Sequence, residues 1–291
     1  MTAPLTIPEP TPLDQLLSLD GKVAIVTGGS RGLGEAIVRR LAEAGATVVF
    51  TGRTLSTLQP LADEITASGG AAVAREADAA DLDSTRRVVE QAVQRYGRLD
   101  ILVNNAAVFQ NRVFLDTTEE LWDQEQAVDL KGAFFAAQIA AEAMITAGNG
   151  GRIINILSTD AFRPTGIFAA YSTIKAGLAM ATVNMAKELA EHGILVNSVT
   201  PGSTITQERI DAIASGDFAG DVLPKDAVRT REKMQSMMPA DGPAAMLQRL
   251  PLGRPGFPVE IADSVLFFCS AMAGYVTGQN IIIDGAQTLS R

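Results

Sequence analysis

Only one residue in 291 is a cysteine, Cys269, so an intrachain disulfide is excluded. It lies in the apolar run Val265-Leu266-Phe267-Phe268-Cys269, which reads as a buried helix face rather than the surroundings of a nucleophile. Histidine is equally scarce. His192 stands alone before Gly193 at an apparent helix end, where positive charge suits the helix dipole. One His and one Cys are too few for a zinc site, and no metal is expected. No apolar stretch approaches the roughly 20 residues that cross a bilayer. The N-terminus lacks the basic start and apolar core of a signal peptide. A cytoplasmic location and no membrane partner are therefore expected. Positive charge is in deficit, 24 Lys and Arg against 33 Asp and Glu, for a formal charge of −9. That balance argues against a nucleic-acid partner.

What is present suits one large α/β domain, with 47% apolar and 20% charged residues. Residues 1 to about 19 carry Pro4, Pro8, Pro10 and Pro12 with little periodicity, and read as an N-terminal arm. From Lys22 onward, short apolar runs alternate with amphipathic stretches. Strands are expected at Lys22–Thr27, Thr47–Phe50, Ala71–Arg75, Leu99–Val103, Arg152–Leu157, Ile194–Val199 and Asn280–Ile283. Helices are expected at Gly32–Ala44, up to about Ser68, at Leu82–Tyr96, up to Thr146 and at Ala170–Glu191. The strands are apolar almost throughout, so both sheet faces are covered, as in a parallel sheet between helix layers. The fold class expected is α/β, a Rossmann-like doubly wound parallel seven-stranded sheet. Ligands in such sheets bind at the carboxyl ends of the strands.

Between the first strand and first helix lies Thr27-Gly28-Gly29-Ser30-Arg31-Gly32-Leu33-Gly34. Glycines here allow positive φ and close backbone approach, and the helix N-terminus offers free N–H groups to a pyrophosphate. No Gly-Lys-Ser/Thr follows, so this is not a Walker loop. The end of the second strand, Phe50-Thr51-Gly52-Arg53, has no carboxylate to bind ribose hydroxyls. Arg31 and Arg53 favour a 2′-phosphate there. NADP(H) is therefore expected over NAD(H), with Arg53 as a solvated helix-start residue the bland alternative.

Tyr171 and Lys175 are four residues apart at the start of a helical stretch and share one face. An ammonium and the positive nicotinamide of an oxidised cofactor would lower the phenol pKa toward neutrality, suiting a general acid or base. Ser158 closes the fifth strand, where an open α/β site belongs. It is outside a Gly-x-Ser-x-Gly elbow and has no His partner, which disfavours a hydrolase.

Taken together, these residues resemble the short-chain dehydrogenase/reductase family, in its single-domain branch, from about residue 20 onward. Thr27, Gly28, Gly32 and Gly34 match its glycine motif. Asp78, with Ala79 following, matches its acidic residue after the third strand. Asn104-Asn105-Ala106-Ala107 resembles its Asn-Asn-Ala-Gly motif, with Ala107 in place of glycine. Ser158, Tyr171 and Lys175 match the catalytic trio. Asn197, Pro201-Gly202 and Thr206 resemble the loop that closes on the nicotinamide. Arg254 to Pro258, Gly278-Gln279 and Asp284-Gly285 resemble its C-terminal segment.

The resemblance implies a hydride transfer between a nicotinamide dinucleotide and a carbonyl or secondary alcohol, of the carbonyl reductase (ketoreductase) or alcohol dehydrogenase type. Tyr171 is the proton donor or acceptor, Lys175 binds the nicotinamide ribose, and Ser158 orients the carbonyl. The implied cofactor contacts are Gly28, Ser30, Arg31, Gly32, Leu33, Gly34, Arg53, Asp78, Ala79, Asn105, Ala106, Tyr171, Lys175, Pro201, Gly202, Thr204 and Thr206. It also implies a homotetramer, with Trp122, Phe134 and Phe135 as core or subunit-contact residues. One departure stands out: Asp129, in Asp129-Leu130-Lys131-Gly132, replaces the family's usual fourth catalytic residue, an asparagine. An aspartate adds charge and removes an N–H donor. It is expected to take the asparagine's role with a shifted pH profile, or else to be a tolerated substitution.

The resemblance also implies that residues 206–250 form a lid over a small-molecule substrate. Met234, Met237, Met238 and Met246, among Pro224, Pro239 and Pro243, suit an adaptable apolar wall, or equally an ordinary helical pair with a Met-containing core. Phe109, Phe162 and Ile167 are candidate pocket residues. The competing class is a non-catalytic dinucleotide-sensing protein of the same fold, which Asp129 and Ala107 favour slightly and the intact trio opposes.

Overall fold

The computed structural model describes residues 9–207, 209–211, 226–240, 245 and 248–289. Seven parallel strands form a single sheet: β1 (Val23–Val26), β2 (Thr47–Gly52), β3 (Ala71–Glu76), β4 (Ile101–Asn104), β5 (Gly151–Ile156), β6 (Ile194–Pro201) and β7 (Asn280–Ile283). Their order is β3-β2-β1-β4-β5-β6-β7. The chain moves outward from β1 in one direction, then returns to β4 and moves in the other. The reversal between β1 and β4 opens a crevice at the carboxyl ends of those two strands.

Helices cover both faces, as the uninterrupted apolar strands require. On one face lie α1 (Gly32–Glu43), α2 (Leu55–Ala67) and, near the C-terminus, α8 (Pro258–Cys269). They bury Ile37, Leu41, Leu58, Val265 and Phe268 against Val48, Phe50 and Val103. On the other face lie α3 (Leu82–Tyr96), α5 (Ala133–Ala147) and α6 (Ala169–Leu189). Val88, Ile139 and Met144 there meet Ile25, Leu102, Ile153 and Val196. Each fully buried Leu, Ile or Phe contributes about 1.5–3 kcal/mol by leaving water. Cys269 is buried, and burial pushes its thiol up to about 12. It belongs to the core, as its apolar setting in the sequence predicts.

The helical region before β5 is not uniform. It starts as α4 (Glu119–Glu125), capped by Thr118, whose hydroxyl accepts from Leu121 N at 3.2 Å. It then widens into π geometry over Gln126–Gly132 before continuing as α5. At Gly132 the wide turn meets the loop after β3: a Cβ would strike the Ala79 carbonyl oxygen. Local π geometry inside helices is frequent at functional sites. Asp129 lies in the middle of this segment.

Leu19, the last residue of the expected arm, is buried in the core, and its N–H donates to Ala44 O at 2.7 Å. Pro4, Pro8, Pro224, Pro243 and Met246 lie outside the described residues. Of the expected lid, Val228–Met237 forms helix α7, with Met234 buried and Met237 at the surface. Trp122 and Phe134 are partly exposed and so not core. Among the described residues, no helix is long and apolar enough to cross a membrane. No group of three or more His, Cys, Asp or Glu that could hold a metal ion occurs among them either.

A buried polar chain ties the layers together. Asn104 Nδ2 donates to Ala133 O at 3.0 Å and to Asn155 Oδ1 at 2.9 Å. Asn155 Nδ2 donates to Thr182 Oγ1 at 2.9 Å, and Thr182 Oγ1 donates to Leu178 O at 2.8 Å. The chain therefore links β4, β5, α5 and α6. Asn155→Ala leaves the Asn104 amide short of an acceptor and opens a cavity. It should lower stability by about 2–4 kcal/mol, measured as a shift in urea midpoint at constant slope. A variant as stable as the parent would show that the chain carries no such weight.

Candidate active site

Thr27 follows β1, and its hydroxyl accepts from Asn105 N at 3.0 Å and Ala106 N at 3.1 Å. Asn105 Nδ2 in turn donates to Thr27 O at 3.0 Å and Gly28 O at 2.9 Å. The end of β4 thus holds the glycine turn shut. Gly28 has φ +68°, and a Cβ there would sit 2.8 Å from Ala106 Cα. A Cβ on Gly34 would drive into the Gly28 carbonyl oxygen. The backbone is packed closely by these glycines, and no side chain caps the N-terminus of α1. Its free N–H groups are a fixed positive end for an anion.

Beside this turn is a cleft of about 490 Å³. Gly28, Ser30, Arg31, Leu33, Gly34, Arg53, Asp78, Ala79, Asn105 and Ala106 line it. The tight glycine turn, the uncapped helix end and two guanidinium groups together fit a dinucleotide with its pyrophosphate on α1. Pro201 ends β6, and Gly202 N donates to Ile283 O at 2.9 Å. Thr204 forms a bridge with Gly256. Thr206 Cγ2 comes within 3.6 Å of where a Gly32 Cβ would be, so the segment after β6 reaches the glycine turn.

The other candidate residues converge at the ends of β4 and β5. Ser158 lies just beyond β5, and its hydroxyl accepts from Asp160 N at 3.2 Å. Tyr171 and Lys175 occupy the first turns of α6, both buried. Lys175 Nζ donates to Ile156 O at 3.0 Å, lies 3.1 Å from Asp129 Oδ1, and is 5.6 Å from the Tyr171 ring centroid. Asp129 is fully buried, and its Oδ2 accepts from Val108 N at 2.7 Å. Burial raises its carboxyl above the usual carboxylate range, while Lys175 and Val108 N pull it down.

The chain alone moves the Tyr171 phenol the opposite way from expectation. Its pKa is raised, chiefly by burial, then by the negative charges of Asp129 and Asp160. The hydrogen bond with Ser158 pulls it down. The sequence offers Lys175 as a cation beside the phenol. The structure gives that cation a carboxylate of its own, so its field at Tyr171 is largely cancelled.

Phe109 packs on Tyr171 edge to face, with centroids 5.2 Å apart, and lies 4.9 Å from Phe168. Phe168, which the sequence does not single out, is 6.1 Å from Tyr171. Phe162 is half exposed at the end of the short turn after Ser158. Ile167 takes part through its backbone, accepting from Arg112 N at 2.8 Å.

Two more residues are visible only in the structure. Asp160 Oδ1 accepts from Thr165 N at 3.1 Å and Thr165 Oγ1 at 2.8 Å, which fixes the loop before α6. Glu125, one helical turn before Asp129, is 1% exposed, and its Oε1 accepts from Gln110 N at 3.3 Å. The spacing of four from Asp129 is the one sequence signal that could have found it.

Asp129→Ala would leave the buried ammonium without the carboxylate that contacts it at 3.1 Å, which costs about 3–5 kcal/mol. Asp129→Asn combined with Lys175→Met removes both charges and should recover much of that loss. Denaturant titration at neutral pH measures both. An Asp129→Ala protein as stable as the parent would mean that the pair contributes nothing to folding.

A family model described as short chain dehydrogenase matches residues 22–214. The chain is 37% identical over 268 residues to an L-rhamnose 1-dehydrogenase (NAD(P)(+)) of Azotobacter vinelandii, covering 91% of this chain and 95% of that protein. It is 33% identical to a 2-dehydro-3-deoxy-D-gluconate 5-dehydrogenase of Escherichia coli, covering 92% and 96%. Among solved structures it superposes on a gluconate 5-dehydrogenase from Burkholderia cenocepacia, in complex with NADP and tartrate. That match has a TM-score of 0.80 at 29% identity and covers 95% of this chain and 99% of the other. A short-chain type dehydrogenase/reductase from Mycobacterium marinum also matches, with a TM-score of 0.80 at 34% identity, over 94% and 98%. With the glycine turn, the parallel sheet and the Ser158-Tyr171-Lys175 cluster at its carboxyl edge, this chain belongs to the short-chain dehydrogenase/reductase family of oxidoreductases.

Proposed function

We propose that the protein interconverts a carbonyl and a secondary alcohol using NADP(H), with Tyr171 as general acid and base. The observation that carries this reading is the convergence of Ser158, Tyr171 and Lys175 beside a cleft shaped for a dinucleotide. The nicotinamide, when bound, gives or takes the hydride. Tyr171 Oη gives a proton to the substrate oxygen in reduction and takes one in oxidation. Ser158 orients that oxygen through its hydroxyl. Lys175, held by Ile156 O and Asp129, sits where it can bind a ribose hydroxyl and steady the phenolate. Asp129 keeps the buried ammonium in place.

The preference for a 2′-phosphate rests on Arg31 and Arg53, which line the cleft. One carboxylate does come near the end of β2: Glu76, opposite Gly52 in the sheet. Its Oε2 accepts from Leu55 N at 3.1 Å, so it serves the start of α2. Three of the four relatives named above are, by name, dehydrogenases of a sugar or sugar acid, and one of these is in complex with NADP. A polyol or hydroxy-acid substrate is therefore the first to try, and the aromatic pair Phe109 and Phe168 would pack on its carbon face.

NADPH should bind more tightly than NADH by fluorescence titration, and Arg53→Ala should cut that preference at least about tenfold. Tyr171→Phe should lose about 10²–10⁴-fold in turnover on a panel of carbonyls and alcohols while still binding cofactor. Tight binding with no turnover on any of them would favour the sensing alternative, and NADH preference would overturn the cofactor assignment. Asp129→Asn removes the negative charge that raises the Tyr171 phenol most. The pH limb for alcohol oxidation should then move to lower pH, by about one unit. A superimposable pH–rate curve would refute that role for Asp129.

A further inference from the structure

Behind Lys175 the site holds more negative charge than it can balance. Asp129 and Glu125 lie on successive turns of one helical run, and both are buried. Among the described residues, the groups that act on Glu125 come from three elements. Its own helix supplies Asp129. The α6 helix supplies Lys175. The loop after β4 supplies Arg112, which is engaged with Asp226 at 3.0 Å, and the backbone N–H of Gln110. With Arg112 and Asp226 offsetting each other, two carboxyls share one ammonium. Glu125 Oε2 is buried with no hydrogen-bond partner among the described residues. A bare carboxylate oxygen in that position is costly, and protonation relieves it.

We infer that Glu125 and Asp129 hold one proton between them at rest, and that Glu125 is a positioning residue whose ionisation sets the charge behind Tyr171. This inference rests on the reading of Tyr171 as the acid–base group. Burial, with Asp129 next to it, pushes the Glu125 carboxyl up to about 7, while Gln110 N, Arg112 and Lys175 pull it down. The Tyr171 phenol feels Glu125 in turn, held up by its negative charge. As pH rises past neutrality, Glu125 loses its proton, the cluster gains a negative charge, and Tyr171 keeps its own proton more firmly. The site therefore stays competent to donate a proton, the reduction direction, to higher pH than it would with a neutral residue at position 125.

Two measurements test this, one of them independent of turnover. Infrared difference spectra of the cofactor-free protein should show a protonated-carboxyl band that persists above about pH 6, where exposed carboxylates are ionised. The band should titrate away near neutrality and be missing in Glu125→Gln. In the active protein, the fall of carbonyl reduction with pH should begin at least about half a unit lower in Glu125→Gln than in the parent. Glu125→Asp, which keeps the carboxyl, should restore most of the difference. A band that survives in Glu125→Gln, or pH profiles that superimpose, would overturn the proposal. If Glu125→Gln does not fold, the parent's infrared titration decides, and absence of the band above about pH 6 overturns it. If Tyr171→Phe keeps full turnover, it is the acid–base assignment that fails, while the infrared result still reports whether Glu125 holds the proton.

Discussion

A primary ammonium buried beneath the sheet edge is the constraint around which this site is arranged. Lys175 is almost wholly withdrawn from water, and an unpaired charge there would cost several kcal/mol. Two acceptors offset that cost, the Ile156 carbonyl and the Asp129 carboxylate. One comes from the last residue of β5 and the other from the π segment ahead of α5. The pair therefore fixes α6 against both the sheet and the neighbouring helical run. Tyr171, one turn earlier on α6, inherits its position from this arrangement. So does the Val108 N–H, which donates to the second oxygen of Asp129 and brings the loop after β4 to the same place.

The topology accounts for why chemistry gathers at this edge. In a parallel sheet every strand ends on the same side, so β1, β4, β5 and β6 deliver Thr27, Asn104, Ile156 and Pro201 to one rim. Order at the rim is then kept by short-range polar contacts. Asn105 binds the glycine turn, and Asn104 reaches Asn155 and through it Thr182. None of these asparagines needs to touch a ligand to matter. They hold the backbone that does.

Much of this was legible in the sequence, and for identifiable reasons. Strands apolar on both faces admit few arrangements other than a covered parallel sheet, and the helix and strand limits agree with expectation to within a residue or two at most ends. The glycine turn, with Gly28 and Gly34, is written in a residue type that backbone geometry demands. Electrostatics were harder to read. Lys175 looked like a free cation because its partner, Asp129, is forty-six positions away along the chain and is aimed inward by a π turn that leaves no mark in the residue pattern. Glu125 sits in Trp122-Asp123-Gln124-Glu125-Gln126, a stretch as polar as any solvated helix face, and only the packing of α4 beneath the loop after β4 shows it to be buried. Glu76 escaped notice because it reaches the end of β2 through strand pairing rather than through proximity in sequence.

The junction after β6 has a consequence for how this enzyme can change. Ser203 O accepts from Gly256 N at 2.9 Å, and Gly256 O accepts from Ile205 N at 3.0 Å, so the two ends of the long excursion after β6 are stitched together. The chain leaving β6 and the chain entering α8 are thereby fixed to each other. The entropy of closing a loop grows only with the logarithm of its length. A change of length in the excursion is therefore compatible with β6 and α8 keeping their places, so long as Thr230 on α7 keeps its bonds to Asp116 at 2.7 and 2.9 Å. Variation confined to that stretch leaves Ser158, Tyr171 and Lys175 on an unchanged frame, so the part of the chain that differs and the part that carries the cluster can change separately.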